Sequence, residues 1–211
     1  MKGDARVARA ERDLPGLTVL ALLLTGPRHT YEMHRMMIDT HKDFVTGLPR
    51  SMYHAVERLL RDQLIRVVGT ARNGSRPERT VYELTAAGRA ELPTRVRRLL
   101  EQPDPDATLL AAALSFIGCL PPVEASAALW VRRDALSARG AELRRGHDEA
   151  AAVVPRVLLV EAEFEIARCA TEQEWAAALA ADVDSGRLDW PADIGSLVTL
   201  LDSPAGRTPR A

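Results

Sequence analysis

Arginine, serine and histidine gather at the start of one amphipathic run, and arginines return around a glycine turn. Pro49 opens that run, with Arg50, Ser51 and His54 near its start and Tyr53 to the side. Arg58 and Arg61 follow further along. A helix lying in the major groove needs short or forked polar side chains near its N-terminus to reach base edges, and Arg50 could fork onto a guanine. Tyr53 could meet a phosphate or pack into the core. Glu57, an acid on the same face, is expected to pair with Arg61 at i,i+4 spacing. Arg72, Arg76 and Arg79 surround Asn73-Gly74 and suit a phosphate or a minor groove. His29 and Tyr31, at the start of the preceding helix, could reach a phosphate. Any one of these could be a solvated basic face. Together they point three elements at double-stranded DNA.

Other chemistries lack a carrier. The sequence has no GxSxG, P-loop, GxGxxG or HExxH motif. Glu161, Glu163 and Glu165 alternate, which spreads them around a helix, and His34 and His41 have no third ligand beside them. No enzyme, cofactor or metal is therefore expected. Cys119 and Cys169 form no CxxC pair and read as buried small hydrophobes, a redox role being the lesser reading. Trp130 and Trp175 could offer flat stacking surfaces to a small effector or simply fill a core.

Charge is divided along the chain. Residues 1–100 carry 18 Lys and Arg against 11 Asp and Glu, and the remainder carry 10 against 18. The net charge of −1 hides a basic half joined to an acidic one, as if one end alone meets a polyanion. Residues 1–13 are charged throughout, and the longest apolar run, Leu17–Leu24, is far short of the ~20 residues of a membrane span. A cytoplasmic protein is expected, with no membrane partner.

The elements that must position these residues follow from period and punctuation. Asp13 and Pro15 suit the cap and first turn of a helix that ends at Gly26-Pro27. Thr30 caps a second, with Met33, Met36 and Met37 on its core face. A third spans roughly 49–63, with Met52, Ala55, Val56, Leu59 and Leu60 inward. The period then changes: 64–70 and 79–84 are rich in β-branched residues and flank the turn, which predicts a β-hairpin. Thr85 caps a fourth helix with Leu92, Val96, Leu99 and Leu100 inward. After a linker at Gln102–Pro105 the chain reads as helix throughout, over 106–117, from Pro122 to about 150, and from Pro155 to about 184. Leu129, Leu136 and Leu143 recur at seven-residue intervals, although Arg133 and His147 spoil a strict coiled coil. Val157, Val160, Phe164, Ala167, Thr171, Trp175 and Ala178 follow a three-and-four spacing.

From Leu17 to Leu92 these motifs resemble the PadR-type transcriptional regulators. The family's second helix opens His-Gly-Tyr-Glu-Leu, and His29-Thr30-Tyr31-Glu32-Met33 stands here. Its recognition helix carries Gly-Ser-Leu-Tyr with a spaced Leu and Arg-Leu, matched by Arg50-Ser51-Met52-Tyr53, Val56 and Arg58-Leu59. Tyr82-Glu83-Leu84-Thr85-Ala86-Ala87-Gly88 looks like its Tyr-x-Leu-Thr-x-x-Gly. The second half is similar, more loosely, to the helical C-terminal domain of longer members and of AphA-like virulence activators, from Glu161 through Trp175 to Leu188. Thr30 replaces the usual glycine, and Arg50 with His54 replaces smaller or proline residues, so the resemblance does not supply an operator sequence.

The resemblance implies a homodimer held by the C-terminal helices, with Leu129, Leu136, Leu143, Val157, Val160, Phe164 and Trp175 at its contact. It also implies repression of a nearby promoter and an aromatic or planar effector, for which Trp130 and Trp175 are the candidates. The expected fold is mainly α: an N-terminal winged helix-turn-helix with a β-hairpin wing over 1–102, an α-helical C-terminal dimerisation domain over 103–202, and a disordered tail over 203–211. A winged-helix module that docks a protein instead of DNA is the alternative. Salt sensitivity separates the two.

Overall fold

Helix boundaries fall near the punctuation with two exceptions: Thr30 is the first residue of its helix and not its cap, and the last helix starts at Val160 and not at Pro155. The computed structural model describes residues 7, 11–39, 50–71 and 79–190. The elements run α1 (Leu14–Leu23), β1 (Arg28–His29), α2 (Thr30–Asp39), α3 (Arg50–Arg61), β2 (Ile65–Ala71), β3 (Arg79–Leu84), α4 (Ala86–Glu101), α5 (Ala107–Ser115), α6 (Pro122–Ala151) and α7 (Val160–Asp184). Short 3-10 turns at Ile117–Cys119 and Arg156–Leu158 precede α6 and α7. The Asp13 carboxylate accepts the Gly16 N–H at 3.1 Å and caps α1. Met33 and Met37 of α2 are buried and Met36 packs against them.

The sheet has three strands in the order β1-β3-β2, all antiparallel. Sequence periodicity gave the hairpin but not β1, whose two residues pair only with β3, Arg28 opposite Tyr82 and His29 opposite Val81. Leaving α3, the Leu64 N–H reaches the Leu59 carbonyl and the Gln63 N–H that of Leu60, the two bonds of a Schellman turn. Gln63 occupies its left-handed position, at φ 57°.

Three bonds then weld the hairpin to α4. The Thr85 N–H donates to the Leu64 carbonyl at 3.0 Å, its hydroxyl donates to Gln63, and the same hydroxyl oxygen accepts the Gly88 N–H. A Cβ on Gly88 would stand 2.0 Å from the Leu64 carbonyl oxygen. The Thr-x-x-Gly spacing is thus a physical requirement: a threonine to cap the helix and a glycine to let it approach the strand.

α4 is shared. It packs against α1 and β3 on one side and against α5 and α6 on the other. One buried cluster accordingly runs from Leu17, Leu20 and Met52 through Leu92, Val96 and Leu99 to Leu109, Ala128 and Leu129. The proline linker is pinned, not slack. Buried Asp104 accepts the Val7 N–H at 3.2 Å and is ion-paired with Arg12. Burial pushes its carboxyl up, but the N–H groups of Asp106 and Val7 and the Arg12 guanidinium outweigh that and hold it below the usual range.

α6 and α7 form a long hairpin. Its seam is made of small residues on the α7 side, Cys169, Ala176, Ala180 and Val183, all buried. Leu129 and Leu136 are also buried inside the chain, at 0% and 2% exposure. This corrects their expected place at a contact between copies: the seven-residue spacing marks the side of α6 that its own chain covers. Residues 203–211 lie outside the described part.

Candidate nucleic-acid interface

α3 turns one face wholly inward and the other wholly outward. Met52, Ala55, Val56 and Leu59 are buried, while Arg50, Tyr53, His54, Glu57 and Arg61 are exposed. At 100° per residue those five form a single stripe along the helix. Ser51 sits at its edge, half-buried. Of the two places open to Tyr53, the structure gives it the outer one, at 54% exposure. Tyr31 of α2 is likewise exposed.

Three expected contacts are otherwise engaged. His29 belongs to β1, not to the start of α2, and its Nδ1 accepts the Glu32 N–H at 3.1 Å while its own N–H donates to the Glu32 carboxylate. That reciprocal pair caps α2, so the imidazole occupies a helix N–H that a phosphate would need. Arg58 donates to Asp13 at 2.6 Å and ties α3 to the cap of α1. It is a strut between helices. Glu57 lies 3.5 Å from His54, not from Arg61 as spacing suggested.

On the hairpin, Arg66 of β2 is exposed and pairs across the strands with Glu83. Sequence reasoning missed it, although alternation in Ile65-Arg66-Val67 places it opposite the buried Ile65. A register shift between Val67 and Gly69 bends the strand beyond it. Arg72 and Arg76 lie outside the described residues, and Arg79 is described only as backbone opening β3.

The two tryptophans do not share a pocket. Trp130 donates its indole N–H to Asp184 at 3.0 Å and lies under the Arg133 guanidinium, 4.7 Å from the ring centre. It is a staple between α6 and the end of α7, which fits the structural one of its two readings. Trp175 instead lines an open, largely apolar groove of about 610 Å³ between α5 and α7, with Leu110, Leu114, Phe164, Ala167 and Thr171. Burial pushes the Cys119 thiol up to about 12, and Cys169 is raised for the same reason, so neither is a ready thiolate. Among the described residues no group of three or more His, Cys, Asp or Glu is placed to hold a metal, and no helix is long and apolar enough to cross a membrane.

Helix, short strand, two further helices, a two-stranded hairpin and a closing helix make the N-terminal half a winged helix-turn-helix, with α3 in the recognition position. Residues 19–94, from α1 into α4, match the model of the transcriptional regulator PadR-like family. PadR of Bacillus subtilis, solved in complex with operator DNA, is 21% identical, covers 80% of this chain and 98% of its own, and has a TM-score of 0.38. The same protein in complex with p-coumaric acid is 20% identical, over 81% and 99%, with a TM-score of 0.36. A PadR-like transcriptional regulator of Bacillus cereus is 16% identical, over 83% and 99%, with a TM-score of 0.36. No curated protein matches the chain.

Proposed function

We propose that this chain is a cytoplasmic transcriptional repressor that binds a pseudo-palindromic operator as a homodimer, one winged helix per half-site, and has no catalytic step of its own. The observation that carries the reading is the outward stripe of α3, polar and aromatic over its whole length and backed by a fully buried apolar face. Arg50 and His54, near the helix start, read bases; Ser51 supports them; Tyr53, Arg61 and Tyr31 meet phosphates. Arg66 and the hairpin arginines Arg72, Arg76 and Arg79 follow the backbone beside the helix.

The dimer is assigned to the C-terminal helices, taken as an AphA-like dimerisation domain over 103–202. Val157, Val160, Phe164 and Trp175 supply its apolar contact, because each is exposed in a single copy, and half-buried Leu143 extends it. Bacillus subtilis PadR has been solved with p-coumaric acid. By extension, a planar aromatic effector against Trp175 is the release signal here. It acts by favouring a dimer whose half-sites no longer match the DNA.

Selection of fragments from random DNA by the purified protein, followed by a salt titration on the winner, tests this. A two-fold-related sequence whose affinity falls steeply with salt, by about 10³ or more between 50 and 200 mM for a protein meeting several phosphates, supports the reading. No enrichment, or a salt-independent partner recovered on the same face, overturns it in favour of a protein-docking module.

A further inference from the structure

Among the described residues the largest buried side chain is a charged one. Arg132 of α6 is 2% exposed. Its Nε and Nη2 both lie 2.6 Å from Glu172 Oε1 of α7. Its Nη1 donates to three carbonyls, those of Leu99 at 3.2 Å, Leu100 at 3.2 Å and Gln102 at 3.0 Å. Those oxygens end α4, where the last turn has no intrahelical donors left and a cation meets the negative end of the helix. One guanidinium therefore holds the end of the helix shared by both halves and, at the same time, the hairpin of α6 and α7.

A buried ion pair is a weak source of stability, since well-packed apolar residues of the same volume often do as well or better. What a guanidinium adds is direction. Its planar fork fits one arrangement of acceptors, whereas apolar contacts tolerate sliding. α4 is welded through Thr85 and Gly88 to the hairpin at its other end, so its tilt is also the tilt of the DNA-reading half.

We infer that Arg132, through Glu172 and the last carbonyls of α4, is a positioning residue that fixes the angle between the winged helix and the C-terminal helices, and so sets the half-site separation that a dimer accepts. The separation role rests on the homodimeric regulator reading above. The angle itself does not.

The test uses the full chain with spin labels at Asp62→Cys and Glu142→Cys, both exposed in the structure, in mixed dimers diluted with unlabelled protein. The native protein gives a narrow label-to-label distance distribution without DNA. The R132M/E172M variant removes both charges at similar volume and keeps fold and dimer, yet its distribution broadens. Amide exchange at Leu100–Gln102 quickens, and preference for the native half-site separation falls about fivefold or more, with affinity for a single half-site unchanged. R132K, which keeps the charge without the fork, lies between. A distribution equally narrow in the double variant, or an unchanged separation preference, overturns the inference. If the double variant does not fold, R132K alone decides by the same two readouts. A native protein that selects no paired half-sites overturns the regulator reading and the separation role with it, while a narrow distribution that broadens in the variants still upholds the angle.

Discussion

α3 and α7 each bury one face against their own chain and differ in what they leave outside. On α3 the outward stripe is Arg50, Tyr53, His54, Glu57 and Arg61; on α7 it is Phe164, Ala167, Thr171, Trp175 and Ala178, with Glu161 and Glu174 at its edges. The first costs nothing to leave in water and attracts phosphate. The second leaves a phenylalanine 65% exposed and a tryptophan 40% exposed, and Val157, Leu158 and Val160 just before it in the chain are exposed as well. Exposed apolar surface of this kind marks a protein contact. The inner faces differ as well: α3 fills its side with Met52, Val56 and Leu59, whereas α7 meets α6 through alanines and Cys169, opposite Gly140. Small residues bring α6 and α7 close together. The large apolar side chains are thereby left for the other side.

The contrast can be broken in order of effect. Leu129→Ala, inside the α6 core, should cost about 2–5 kcal/mol in urea unfolding, whereas Phe164→Ala should change monomer stability by no more than about 0.5 kcal/mol. Equal losses would mean that the α7 stripe is already covered. Phe164→Glu should weaken self-association by about 2–4 kcal/mol in sedimentation equilibrium, as for a buried aromatic anchor, with the fold retained; an undisturbed dimer would move the contact elsewhere.

Arg50→Ala should cost about 1–3 kcal/mol on the preferred sequence and relax selectivity at one position, while Arg61→Ala should weaken all DNA alike and reduce the salt slope by about 1. If both gave the same uniform loss, α3 would be a charged surface and not a reader. Asp104→Asn should cost about 2 kcal/mol at neutral pH, by loss of charge-assisted bonds. In the native protein the Asp104 carboxyl lies lower than in the unfolded chain. Its contribution is therefore complete above the ordinary carboxylate pKa of about 3.9 and disappears as pH falls through the lowered value. Acid titrations of the two proteins should converge there. Smallest, Gln63→Gly should stabilise by roughly 0.5–1 kcal/mol by relieving a left-handed residue, with DNA affinity untouched.

The recognition helix, the hairpin and the Thr85 cap were legible because each rests on neighbours in sequence. β1 was not, because two residues become a strand only when β3, some fifty positions on, offers its edge. Arg58 looked like a free polar group since nothing local reveals Asp13, forty-five positions away. His29 and Glu32 are only three apart, but histidine is not among the usual capping residues, so that local signal went unread. Periodicity showed that Leu129 and Leu136 share a face with each other, and that Phe164 and Trp175 share another. Which face its own chain covers is a matter of tertiary packing. Arg132 was invisible for the same reason: in a helix rich in arginine, only the packing of α4 and α7 around it makes it different.

The bond from the Val7 amide to Asp104 has a practical side. Val7 is thereby fastened beside the joint between the two halves, not beside α3. Proline at position 7 has no N–H to give. Val7→Pro would therefore loosen the clasp from its peptide side while leaving Arg12 on Asp104.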